Sequence, residues 1–117
     1  QQKGLAFNRF TRNCPAFIVI VEEKARLSAA FGGLIKGQHY AQMDIGIAAA
    51  HISLCASDLG LGSCIIGWFN NAKLRKVLGI PPSKRVRLVV ALGYAQENAF
   101  RAKVRKKADE CVHYNAW

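Results

Sequence analysis

The stretch AQMDIGIAAAHISLCASDL, residues 41–59, decides the fold, and its neighbours are best read outward from it. Ile45, Ala48, Ala49, Ile52 and Ala56 recur at three- and four-residue steps, which places them on one side of a helix. Met43, Ile47, Ala50 and Leu54 take much of the other side, so the helix is apolar nearly all round. Such a helix belongs inside a larger body or in a subunit interface. In a chain of 117 residues the interface is the expected place. Gly60-Leu61-Gly62 stops the helix, and Ser63-Cys64-Ile65-Ile66-Gly67 then reads as a short apolar strand.

Upstream, residues 1–13 are polar and basic and lead as a loop or helix end into Cys14-Pro15. From Ala16 the text runs Ala-Phe-Ile-Val-Ile-Val, rich in β-branched residues and apolar on both faces, the pattern of an interior strand covered on both sides. Glu22 and Glu23 end it, and residues 24–40 form a mixed segment broken by Gly32-Gly33 and Gly37. Downstream, Asn70 and Asn71 can cap a helix that carries Leu74, Val77 and Leu78 on one face. Gly79 terminates that helix and Pro81-Pro82 prevents its continuation. Val86 to Tyr94 is a second strong strand, residues 95–107 a polar linker, and Asp109 to Trp117 a short tail. The order strand, long helix, strand, helix, strand indicates an α/β or α+β domain, with residues 1–117 as one unit.

Composition narrows the class. Half of the residues are hydrophobic (51%) and 21% are charged, which excludes a disordered tail. No apolar run approaches the roughly 20 residues of a membrane helix, so no membrane partner is expected. Seventeen Lys and Arg against seven Asp and Glu give a formal net charge of +10, which favours anionic partners. Cys14, Cys55, Cys64 and Cys111 are widely separated and form no Cys-x-x-Cys pair, and no signal peptide precedes them. A reduced, cytoplasmic protein is expected. The chain begins at Gln1 rather than Met, and the expectation is that it is N-terminally incomplete.

Several constellations have a plain structural reading. Gly60-Leu61-Gly62 ends a helix instead of leading a strand into one, so its amides do not face an anion and no Rossmann or P-loop assignment follows. His51 and Cys55 share a helix face, but no further ligands stand at a recognisable metal spacing, and core packing is the favoured reading. No Ser-His-Asp or Cys-His arrangement can be assembled, and no metal site or catalytic side chain is assigned. Arg101, Lys103, Arg105, Lys106 and Lys107 place five cations within seven residues. This cluster is either a diffuse polyanion patch or, through the alternation of Lys103 and Arg105 in an extended segment, a two-cation grip on one phosphate.

The ordered series Asp44-Ile-Gly-Ile-Ala-Ala-Ala-His51, Asp58-Leu-Gly-Leu-Gly-Ser-Cys-Ile-Ile-Gly-Trp-Phe69, Lys76-Val-Leu-Gly-Ile-Pro81, Leu92-Gly-Tyr94, Lys103-Val-Arg-Lys-Lys107 and Val112-His-Tyr-Asn115 resembles the flavin-dependent nitroreductase family. The resemblance covers most of the chain from Cys14-Pro15 onward. It implies an α+β fold with a central, mostly antiparallel sheet flanked by helices, and a homodimer whose interface contains the long helix. It also implies FMN as cofactor and a ping-pong reaction in which hydride comes from NAD(P)H and leaves to a nitroaromatic, quinone or similar small-molecule acceptor. By the same resemblance the flavin-contacting strand end falls on Ile65, Ile66, Gly67 and Trp68, with the amides of Gly67 and Trp68 facing the N5 and O4 edge of the ring. The cationic pair on the FMN phosphate falls on Lys103 and Arg105. The family's N-terminal helices, with their Arg-Arg-Ser type motif, have no counterpart in this sequence. The rival reading is a non-catalytic basic module that binds nucleic acid or another polyanion through residues 101–107. Nucleic-acid modules interleave aromatics with their cations, and only Phe100 stands beside this cluster, which weighs against nucleic acid.

Overall fold

A computed structural model describes residues 8, 10–23, 40–95 and 102–115. The Gly32-Gly33 segment and Arg101 lie outside them. Three strands, β1 (Ala16–Glu22), β2 (Gly62–Ile66) and β3 (Arg85–Gly93), form one antiparallel sheet in the order β1-β3-β2. The long helix α1 spans Tyr40–Asp58 and the short helix α2 spans Asn71–Leu78. A 3₁₀ turn at Ala108–Glu110 follows residues 102–107, which have no regular structure.

Strand alternation divides the sheet into two faces. Val19, Val89 and Ile66 stand across from one another on one face, joined by Val21, Val86 and Ala91. Leu74 and Ile80 from α2 and its exit, with Phe69, pack against that face to make the described core. Val90, fully buried, points to the other face together with its partners Ile18 and Ile65. Helix α1 packs against all three strands. Between Ile20 and Val21 the register shifts, so that Ile20 meets Leu88 and Val21 meets Val86. The extra residue on β3 is Arg87, and this bulge presents its guanidinium to the carboxylate of Glu22.

β1 differs from its sequence reading. Its doubly apolar text predicts an interior position, yet among the described residues β1 is an edge strand with no buried residue, and β3 is the centre. Both strands are equally rich in aliphatics, and periodicity carries no information about which of two such strands lies between neighbours.

The helix ends follow their sequence signals. The Asn70 side chain accepts the Lys73 amide at 2.9 Å, which caps α2. At the far end of α1, Gly60 sits at φ 71°, and the amides of Gly60 and Leu61 reach the carbonyls of Ser57 and Ala56. This paired bonding closes the helix and turns the chain straight into β2. The left-handed conformation suits glycine, which has no Cβ to clash there.

Of the α1 residues read as sharing one side, Ala49 and Ala56 are buried and Ile45 and Ile52 half-buried, while Ala48 is exposed. The opposite side stands open: Met43, Ile47 and Leu54 are 54%, 58% and 68% exposed. His51 and Cys55 are also exposed, so neither is a core residue of this chain. The His51 Nδ1–H donates to the carbonyl of Ile47 one turn back, at 2.9 Å. Cys14, Cys55, Cys64 and Cys111 are unbridged.

Candidate functional site

The site begins with the direction of β2. Ile65 pairs with Val90 and Ile66 with Val89, so the strand delivers the next two residues, Gly67 and Trp68, beyond the ladder. Ile66 is buried and anchors the strand end in the core, whereas Ile65 is half exposed at 48%. Phe69 packs against the core and Asn70 opens α2, so the chain is fixed again two residues later. Gly67 and Trp68 therefore form a short exposed bridge held at both ends.

The space around Gly67 is informative. A Cβ placed there meets only the Leu88 Cδ2 at 3.8 Å, an ordinary contact, and Gly67 has no positive φ. Neither crowding among the described residues nor backbone conformation demands a glycine. What a side chain would obstruct is the approach of a flat group from outside to this backbone. Gly67 is exposed, and the Trp68 side chain beside it is 75% exposed.

A residue that the sequence reading missed completes the bridge. The side-chain amide of Asn8 donates to the Trp68 carbonyl at 2.9 Å, across sixty positions of sequence. No local pattern signals such a contact. An asparagine in a polar, basic segment looks like any loop residue.

The other half of the expected site stands apart. Lys103, Arg105, Lys106 and Lys107 are all exposed, and Val104 between the first two is 100% exposed. No hydrogen bond or ion pair among the described residues joins Lys103 or Arg105 to the bridge. Among the described residues no group of three His, Cys, Asp or Glu is placed to hold a metal. No described helix is long and apolar enough to cross a membrane. A cavity of about 280 Å³ lies between α2 and the sheet, lined by Phe17, Val19, Leu74 and Val77. Its lining is mostly apolar, with Asn70 and Lys73 the polar residues on it.

Comparison with known proteins gives the family and the fold. The sequence profile of the nitroreductase family matches residues 1–94. The chain belongs to the nitroreductase family. A nitroreductase family protein from Clostridium novyi NT is 34% identical, with the match covering 80% of this chain and 51% of that one at a TM-score of 0.61. An FMN-dependent nitroreductase from Clostridium difficile R20291 is 28% identical over 98% of this chain and 64% of its own, at a TM-score of 0.65. The NADPH:FMN oxidoreductase from Vibrio harveyi, solved with NAD+, shares the fold at a TM-score of 0.73 and 23% identity, covering 96% and 51%. This nitroreductase chain thus spans about half to two thirds of the length of these structures. Its α+β architecture is the nitroreductase fold.

Proposed function

We propose that this chain carries the flavin-edge half of an FMN-dependent oxidoreductase that uses NAD(P)H and reduces nitroaromatics, quinones or similar small molecules by a ping-pong mechanism. The observation that carries the reading is the bridge Gly67–Trp68: exposed, anchored on both sides, and glycine where nothing among the described residues requires glycine. Family membership and the FMN named for the Clostridium difficile protein support it.

When bound, FMN supplies the redox chemistry, taking up hydride from NAD(P)H and releasing it to the acceptor. The residues of the chain have binding and orienting tasks. Gly67 admits the ring to the backbone, and the amides of Gly67 and Trp68 donate toward its N5 and O4 edge. A fixed donor at that edge favours the electron-rich, reduced ring over the oxidised one. Ile65 and Ile66 hold the strand end, and Lys103 with Arg105 pairs with the phosphate. No side chain of the chain is assigned an acid or base role.

The working unit is a homodimer. The open side of α1, with Met43, Ile47 and Leu54 exposed, is an apolar stripe of the kind that a second copy covers. The protein acts in the cytoplasm, with its four cysteines reduced. A second reading, polyanion binding by residues 101–107, is favoured by the exposure of Lys103, Arg105, Lys106 and Lys107. Titration of the full-length protein with FMN and with a DNA oligonucleotide separates the two. The flavin reading expects saturable FMN binding that persists at high salt. Salt-sensitive DNA binding without FMN binding would replace it with the second.

A further inference from the structure

We infer that Asn8 is a positioning residue for the flavin edge: from the far end of the chain it holds the Trp68 carbonyl, in the peptide that follows the Trp68 N–H, and so limits rotation of the Trp68 backbone. The inference rests on the reading that the Gly67 and Trp68 amides meet the flavin ring. Only the NH2 of the Asn8 side chain can face a carbonyl, so its donation to the Trp68 oxygen at 2.9 Å also sets the orientation of the amide group.

Asn8 is itself held from behind. The Thr11 hydroxyl, in a residue only 6% exposed, donates to the Asn8 carbonyl at 2.8 Å. The Cys14 amide donates to the Thr11 carbonyl at 3.0 Å, and the Cys14 thiol donates to the carbonyl of Leu92 on β3 at 2.9 Å. A line of hydrogen bonds thus runs from the central strand through the turn at residues 11–14 to the exposed bridge. Asn8 is its terminal member. It touches no atom expected to react, and its influence reaches the ring only through the backbone of Trp68.

A donor discriminates between two charge states of a ring in proportion to how firmly it is aimed. Loosening the Trp68 peptide should therefore cost the reduced cofactor more than the oxidised one. The test uses full-length, FMN-loaded protein and two readouts besides turnover: the two-electron midpoint potential of bound FMN and the affinity for oxidised FMN. In Asn8→Leu, of similar size but without a donor, the preference for reduced over oxidised FMN should fall about fivefold, which is a drop of about 20 mV in potential. Affinity for oxidised FMN should change less than about twofold. Asn8→Gln, which keeps the NH2 donor, should recover most of the shift, and the melting temperature of the apoprotein should not follow the potential across the variants. Should Asn8→Leu fail to fold, Asn8→Ala carries the same expectation.

An unchanged potential in Asn8→Leu or Asn8→Ala, with wild-type protein that binds FMN, overturns this inference alone. A potential that tracks the apoprotein melting temperature, with no recovery in Asn8→Gln, also overturns it, since the contact would then be merely structural. Wild-type protein that binds no FMN overturns the flavin reading, and the inference with it.

Discussion

The strand end at Ile65–Trp68 and the basic segment at Lys103–Lys107 both carry expected cofactor contacts, yet they are held in opposite ways. The first is rooted in the sheet: Ile66 is 6% exposed, Phe69 packs on the core, and Asn8 ties the Trp68 carbonyl. The second is exposed at every position from 102 to 107 and has no regular structure. A ring edge must be met by donors at fixed positions, so it needs a rigid support. A phosphate can instead be gripped by long, flexible cations that order around it. On the proposed reading the fold itself supplies the geometry, while the arm supplies charge.

Substitutions in the two regions can break or sharpen this contrast, beginning with the arm. If Lys103 and Arg105 grip the phosphate, Arg105→Ala or Lys103→Ala should weaken FMN binding about ten- to a hundredfold by fluorescence titration. The loss should persist at high salt, because a direct charge-assisted contact is screened less than a distant attraction. At the strand end, Gly67→Val places a branched side chain where the proposed ring would approach. Its affinity for FMN should fall about tenfold, ~1.4 kcal/mol, with little change in thermal stability, since the first added carbon meets only the Leu88 methyl at 3.8 Å. A Gly67→Val protein that keeps full affinity would remove the ring from this edge.

Much of the rigid half was legible beforehand, and the reason is local. The Gly60 stop, the Asn70 cap and the apolar run of β2 each act over a few residues, where chemistry and position are directly linked. The bonds at Gly60 and Leu61 show how short that link is. What sequence could not supply was long-range. The order β1-β3-β2 depends on which of two aliphatic strands finds neighbours on both sides, and the Asn8–Trp68 bond joins residues sixty positions apart. The exposure of His51 and Cys55 is a matter of helix rotation: on a helix apolar nearly all round, composition does not tell the inward side from the outward one. That 65–68 and 103–105 serve one site is an expectation of the resemblance alone, because nothing in their spacing relates them.

Two smaller effects complete the series. Gly60→Ala forces a Cβ into the left-handed region at the turn that aims β2, and should cost about 1 kcal/mol in denaturant unfolding, with FMN affinity reduced in step. Lys106→Ala and Lys107→Ala mark the lower end. Both lysines are exposed and stand outside the proposed phosphate pair, so each should alter FMN binding by less than about threefold, and only at low salt. Equal, salt-erased losses at positions 103, 105, 106 and 107 would make the arm a diffuse patch.

The central claim is that the Gly67–Trp68 bridge serves a flavin, and the most direct measurement is the visible absorption spectrum of the purified full-length protein before and after NAD(P)H. A flavin spectrum is expected, bleached by NAD(P)H without air and restored by a quinone or nitroaromatic. A colourless protein that takes up no FMN when it is supplied would contradict it.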